Sequence, residues 1–171
     1  KNIYMVESNP LLIPNLKDIF SLKANIDDID FLLYSPKIKF DVIVSNPPYN
    51  LNGLKTIPKK KRDNKKWIPI WHSFLEKSLE LLNDNGYMCV IVPASWLKYD
   101  ELNMYNTITQ YKIHKMKCYN SYESYKIFSK KVQIPCTLFL LQKKPTDFVI
   151  PIMDNITHEY VNHNLCVPFR S

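Results

Sequence analysis

Residues 40–50 read Phe40-Asp41-Val42-Ile43-Val44-Ser45-Asn46-Pro47-Pro48-Tyr49-Asn50. Val42, Ile43 and Val44 are consecutive and β-branched, which predicts a buried strand over Phe40 to Ser45. Pro47 and Pro48 stop it, because neither can donate to a sheet ladder and the residue before each is held extended. A short apolar strand that gives way at once to a polar turn is how an open α/β sheet presents a ligand site, at the carboxyl ends of its strands.

The sequence on either side keeps the same alternation. Upstream, Asn2 to Val6 is a short apolar strand closed by Glu7, and Ser8-Asn9-Pro10 is a turn. Leu11 to Ala24 is predicted helical, with Pro14 confined to its first turn. Asp27 to Leu33 reads as a second strand, and Tyr34 to Lys39, with Pro36, as a loop. Downstream, Ile70, Phe74, Leu75, Leu79, Leu81 and Leu82 fall at helical spacing. Asn83-Asp84-Asn85-Gly86 ends that helix, with Gly86 as its left-handed stop. Tyr87 to Val92 is a continuous apolar strand broken by Pro93. Tyr99 to Tyr111 is a weaker helix, and Ile113 to Tyr119 and Pro135 to Gln142 are later strands. Strands alternating with helices indicate an α/β sheet with helices on both faces. Residues 1–144 form one domain in this reading. Residues 145–171, with three prolines and no clear period, are a C-terminal tail or the start of a further module.

Composition excludes several functions. The 171 residues are 46% apolar and 23% charged, which is globular and not disordered. There are two glycines, Gly53 and Gly86, where average usage gives about 12. They are too far apart for a G-x-G-x-x-G turn or a G-x-x-x-x-G-K-[ST] phosphate loop. Cys89, Cys118, Cys136 and Cys166 have no C-x-x-C spacing, and the first three lie in apolar, strand-like stretches. They read as buried free thiols of a reducing compartment. The four histidines form no helical ligand pair, so no metal site is expected. No apolar run is long enough to span a membrane.

The net charge of +7 is concentrated in one place. Between Lys55 and Lys66 stand Lys59, Lys60, Lys61, Arg62, Lys65 and Lys66, with Asp63 the one acid. Such a run suits a polyanion, and the alternative is a solvated lysine-rich loop. Pro58-Lys59-Lys60-Lys61-Arg62 also has the form of a nuclear-import signal. Trp67 and Trp71 follow, either stacking on bases or packing the next helix.

Asn46 to Tyr49 carries the chemistry. An exocyclic amine such as adenine N6 is a poor nucleophile because its lone pair is delocalised into the ring. Two acceptors aimed at its two N–H bonds draw the nitrogen toward tetrahedral geometry and free the pair. The Asn46 side-chain oxygen and the Pro47 carbonyl can serve as those acceptors. A proline following Pro47 keeps that carbonyl on a stiff, extended backbone. Tyr49 offers a flat face to a base.

FDVIVSNPPYN resembles the catalytic motif of S-adenosylmethionine-dependent DNA amino-methyltransferases, mainly the adenine-N6 type of restriction–modification systems. The resemblance runs from Asn2 to about Lys144. IYMVESNP is similar to the family strand whose terminal acid holds the cofactor ribose, which implies that role for Glu7. DIDFL resembles the family's acidic-Phe segment, placing Asp30 near the cofactor adenine amine and Phe31 against its ring. GYMCVIVPASWL is similar to the strand and loop after the next helix. In YKIFSKKVQIPCTLFLLQKK, Phe128 falls where related enzymes set a second aromatic beside the extruded base.

The resemblance implies a Rossmann-like fold, a mostly parallel sheet with helices on both faces and an antiparallel last strand. It implies transfer of a methyl group to the N6 amine of an adenine flipped out of DNA. The basic run would then neutralise phosphates at the rim of the pocket. The family's Gly-rich cofactor loop and its first strand would lie ahead of Glu7, where six residues stand, and Ile29 replaces the glycine expected before Asp30. The chain is therefore expected to be N-terminally incomplete, with a further domain or subunit supplying the loop and target recognition. Its expected setting is the cytoplasm of a bacterium or a viral host, or the nucleus if the basic run is an import signal. Two other readings stay open: a methyltransferase-like nucleic-acid-binding or structural subunit without activity, and an enzyme acting on a guanine amine in RNA or a glutamine in protein.

Overall fold

Two parallel strands open the chain. The structure is a computed structural model, and it describes residues 2–20, 23–49, 69–98, 103–128 and 132–165. The chain divides into two units, residues 1–38 and 39–171.

In the first unit, β1 (Ile3–Glu7) and β2 (Ala24–Asp28) pair in parallel from Ile3 opposite Ala24 to Glu7 opposite Asp28. The helix between them, α1, runs Ile13–Phe20. The turn before it is fixed by Asn9, whose side-chain oxygen accepts from the Leu11 N–H at 3.0 Å. Pro14 then stands in the first turn, where a missing N–H costs nothing. The strand expected over Asp27 to Leu33 is corrected to an earlier span. Asp30 caps a 3-10 turn at Phe31–Leu33, its carboxylate accepting from the Leu32 N–H at 2.9 Å. That local bond competes with extended pairing and wins.

Among its described residues the second unit has six strands and three α-helices: β3 (Phe40–Ser45), α2 (Ile70–Leu81), β4 (Leu82–Pro93), α3 (Met104–Thr109), β5 (Tyr111–Tyr119), α4 (Ser121–Ile127), β6 (Cys136–Pro145), β7 (Val149–Met153) and β8 (Tyr160–Asn164). The sheet order is β3-β4-β6-β5-β7-β8. β3 runs parallel to β4, and β6 is antiparallel to both β4 and β5. β6 is thus the antiparallel strand expected, and two more strands follow it in the same sheet. β7 pairs in parallel with β5, and β8 closes a hairpin on β7.

The core lies where strand alternation meets helix periodicity. Met88, Val90 and Val92 of β4 and Phe139 and Leu141 of β6 are buried with Trp71 and Leu75 of α2 and Ile108 of α3. Each such side chain contributes about 1.5–3 kcal/mol on leaving water. Trp71 is therefore a core residue and not a base-stacking one.

Three local expectations are corrected. β3 has the predicted span but is not buried: Val42 is 61% exposed and Val44 77%. Among the described residues it pairs with β4 alone. Gly86 is not a left-handed stop, since the positive φ belongs to Asn85, at 62°. Gly86 is buried within β4, and a Cβ there would stand 2.9 Å from the Asn83 carbonyl oxygen and 3.1 Å from that of Asp41. The position needs glycine for close backbone approach. Of the cysteines, Cys136 is buried, whereas Cys89 and Cys118 are half-buried.

Candidate active site

The ends of β3, β4 and β5 meet the start of β6 at one end of the six-stranded sheet. Ser45 pairs with Val90, and Cys136 lies opposite both Pro93 and Tyr119. Asn46-Pro47-Pro48-Tyr49 leaves β3 here. Pro47 is buried and anchors the turn, while Asn46 and Pro48 are exposed. The Asn46 amide makes no hydrogen bond to the described residues.

Tyr49 turns inward. Its ring packs on the core, and its hydroxyl is buried. Burial, and then the adjacent Cys136 thiol, push the phenol well above its ordinary range, so the group is neutral at any physiological pH. Its ring meets Phe128 edge to face, with centroids 6.3 Å apart and planes at 80°.

Phe128 arrives on α4, which the sequence reading did not anticipate. Asn120 caps it, accepting from the N–H groups of Tyr122 at 3.0 Å and Glu123 at 2.9 Å. The Glu123 carboxylate accepts from the Asn120 N–H at 2.8 Å in return. That capping box was legible as Asn-x-x-Glu. The Phe128 N–H donates to the Ser124 carbonyl at 3.0 Å, which holds the aromatic at the helix end.

Glu7, Asp30 and Phe31 belong to the first unit, at the carboxyl ends of β1 and β2. The Ile29 N–H donates to the Glu7 carbonyl at 3.2 Å, so the two strand ends stay together. One Glu7 oxygen accepts from the Asn9 N–H at 2.7 Å, and one Asp30 oxygen caps its 3-10 turn. Among the described residues each carboxylate retains an oxygen as an acceptor. Such a set suits a ligand with adjacent hydroxyls and an exocyclic amine. Among the described residues no three His, Cys, Asp or Glu side chains gather as metal ligands. No described helix is long and apolar enough to cross a membrane. Lys59, Lys60, Lys61, Arg62, Lys65 and Lys66 lie outside the described residues.

The chain is 34% identical over 88 residues to the type II methyltransferase M.TthHB8I of Thermus thermophilus, covering 44% of this chain and 21% of that one. It is 31% identical over 144 residues to the type II restriction enzyme and methyltransferase RM.Eco57I of Escherichia coli, covering 77% of this chain and 13% of the relative. The chain thus spans about a fifth or less of these relatives. Among solved structures, the EcoKI M protein of a type I restriction enzyme superimposes with a TM-score of 0.63 at 13% identity, over 88% of this chain and 35% of that one. With the strand order above, that likeness shows a Rossmann-like methyltransferase fold. Residues 2–128, which include Glu7, Asp30 and the Asn46 turn, match the model of one family. The chain belongs to the Eco57I restriction-modification methylase family.

Proposed function

We propose that this chain carries the catalytic part of an S-adenosylmethionine-dependent enzyme that methylates the N6 amine of an adenine flipped out of DNA. The observation that carries the reading is the Asn46 turn. An exposed amide with no hydrogen bond to the described residues stands beside a buried proline at a strand's carboxyl end, and a neutral tyrosine and a second aromatic follow it. The cofactor supplies an electrophilic methyl group on a sulfonium centre. Glu7 would accept from its ribose hydroxyls and Asp30 from its adenine amine, with Phe31 against that ring. The acceptor set described above fits those groups; the methionine end has no counterpart among these three residues.

On the second unit, Asn46 and the Pro47 carbonyl accept from the two N–H bonds of the substrate amine. The nitrogen lone pair is then free to act as the nucleophile toward the methyl group that the cofactor would supply. The surplus proton leaves the alkylated nitrogen for solvent, so no strong general base is required. Tyr49 and Phe128 hold the base out of the stack. Residues 1–144 carry catalysis in this reading, and choice of a target sequence falls to a further domain or subunit.

The test is transfer of labelled methyl to duplex DNA, with the product nucleoside identified. N6-methyladenine is the expected product. Label on RNA or protein alone, or no cofactor binding by calorimetry, overturns the reading. The basic run adds a second expectation. Replacing Lys59, Lys60 and Lys61 with Gln weakens DNA binding for all sequences alike. It also flattens the plot of log affinity against log salt by about one unit per lost phosphate contact. A slope that does not change removes the phosphate role.

A further inference from the structure

The lysines of β5 differ in their partners. Lys112 is ion-paired with Asp147 at 2.6 Å. Lys115 lies over the Tyr160 ring at 5.0 Å from its centroid, and Lys117 over the Tyr119 ring at 5.2 Å. On α4, Lys126 lies over the Tyr122 ring at 4.4 Å, one helical turn away. Among the described residues Lys115, Lys117 and Lys126 make no ion pair. A ring face attracts an ammonium through its quadrupole and leaves its charge and its N–H donors in place. Each of these three lysines is therefore held without being neutralised.

Four of the six residues share one face of the sheet. Lys115, Lys117 and Tyr119 alternate along β5, and Met116 between the lysines is buried on the other face. Met153 pairs with Lys117 and Tyr160 with Met153, which puts Tyr160 on the lysine face. The other two residues stand on α4, which starts two residues after Tyr119. Lys126 stands two residues before Phe128, the aromatic that meets Tyr49. Lys115, Lys126, Tyr122 and Tyr160 are exposed. Glu123 is the one acid in β5, α4, β7 and β8, and its carboxylate already accepts from the Asn120 N–H at 2.8 Å. Glu159 stands just outside β8.

We propose that Lys115, Lys117 and Lys126 form a track that contacts the phosphate backbone of duplex DNA beside the target base. Three uncompensated cations on adjoining elements complement a polyanion, and the track starts next to the base-holding aromatic pair. The tyrosines are its scaffold. With an ammonium over each ring they hold the lysines in place rather than stack on bases. Backbone contacts of this kind fix register and add affinity, and they carry no sequence information. The assignment of DNA as the partner rests on the methylation reading above.

Salt titration of duplex DNA binding by the full-length protein, with labelled-methyl transfer measured in parallel, is the test. The triple variant Lys115→Gln, Lys117→Gln, Lys126→Gln is expected to flatten the plot of log affinity against log salt by about 2–3 units, roughly 0.9 for each lost contact. Its KM for DNA rises while kcat stays unchanged. Arg at the same three positions is expected to keep the wild-type slope. Tyr160→Leu, which takes the ring from under Lys115, is expected to weaken binding about 2- to 5-fold, and Tyr160→Phe to leave it unchanged. Equal binding by Tyr160→Leu and wild type overturns the scaffold role of the ring. A triple variant that methylates DNA and keeps the wild-type slope overturns the track alone. So does a slope that changes for RNA and not for duplex DNA. Wild-type protein that neither binds nor methylates DNA overturns the track and the methylation reading together.

Discussion

Replacing Asn46 with Ala is expected to lower kcat for methyl transfer by about 10²- to 10³-fold or more, with little change in KM for DNA. That is the usual size of effect when one preorganised hydrogen-bond partner is removed from developing charge. The lost interaction strengthens as the amine nitrogen gains positive charge and its N–H bonds become better donors. It therefore belongs mainly to the transition state, and its loss appears in kcat. The fold should survive, because Asn46 is exposed and carries no hydrogen bond to the described residues. Asn46→Asp separates acceptor chemistry from shape. A carboxylate still accepts, so Asp should retain more activity than Ala. Labelled-methyl transfer under single-turnover conditions, with circular dichroism to confirm folding, measures both. Full activity in Asn46→Ala would mean that the turn is not the amine site.

The largest expected effect on stability comes from Trp96→Ala, at about 3–5 kcal/mol. Trp96 is completely buried in the 3-10 turn that follows β4. Its ring meets Phe139 at 5.4 Å and Tyr105 at 6.3 Å, and its indole N–H donates to the Thr137 hydroxyl at 2.7 Å. Truncation leaves a large cavity and removes the partner of a fully buried threonine. A loss of this size lowers Tm by on the order of 10 °C for a chain this long. Trp96→Phe keeps most of the volume and forfeits the hydrogen bond, so about 1–2 kcal/mol is expected. Denaturant titration of the two variants checks the order. Similar midpoints for Ala and wild type would show that the turn after β4 is not part of the cooperative core.

The strands most legible in the sequence were those with uninterrupted apolar runs. β3, the later part of β4 and β6 follow directly from FDVIVS, YMCVIV and CTLFLL. β7 and β8 gave no such signal, because Pro151 interrupts one and the other is Tyr-Val-Asn-His-Asn, exposed along its length. Their strand character comes from hydrogen bonding to neighbours. The exposure of Val42 and Val44 in β3 was illegible for a related reason. Consecutive β-branched residues show that a strand can be buried on both faces, and only its neighbours decide whether it is. At the site, the Asn46 turn could be read from chemistry alone. Bringing Phe128 to Tyr49 required α4 and its capping box.

The place of β6 between β4 and β5 also governs how the chain assembles during synthesis. β4 and β5 do not pair with each other, so each keeps a bare edge until β6 slots between them. The partners in β4 and β6 are about 50 residues apart in the chain. At 5–20 residues per second, β4 waits on the order of 3–10 s on the ribosome for its neighbour. During that wait Met88 and Val90 have a strand beside them on the β3 side alone, and closure of the core is postponed to a single late, non-local event.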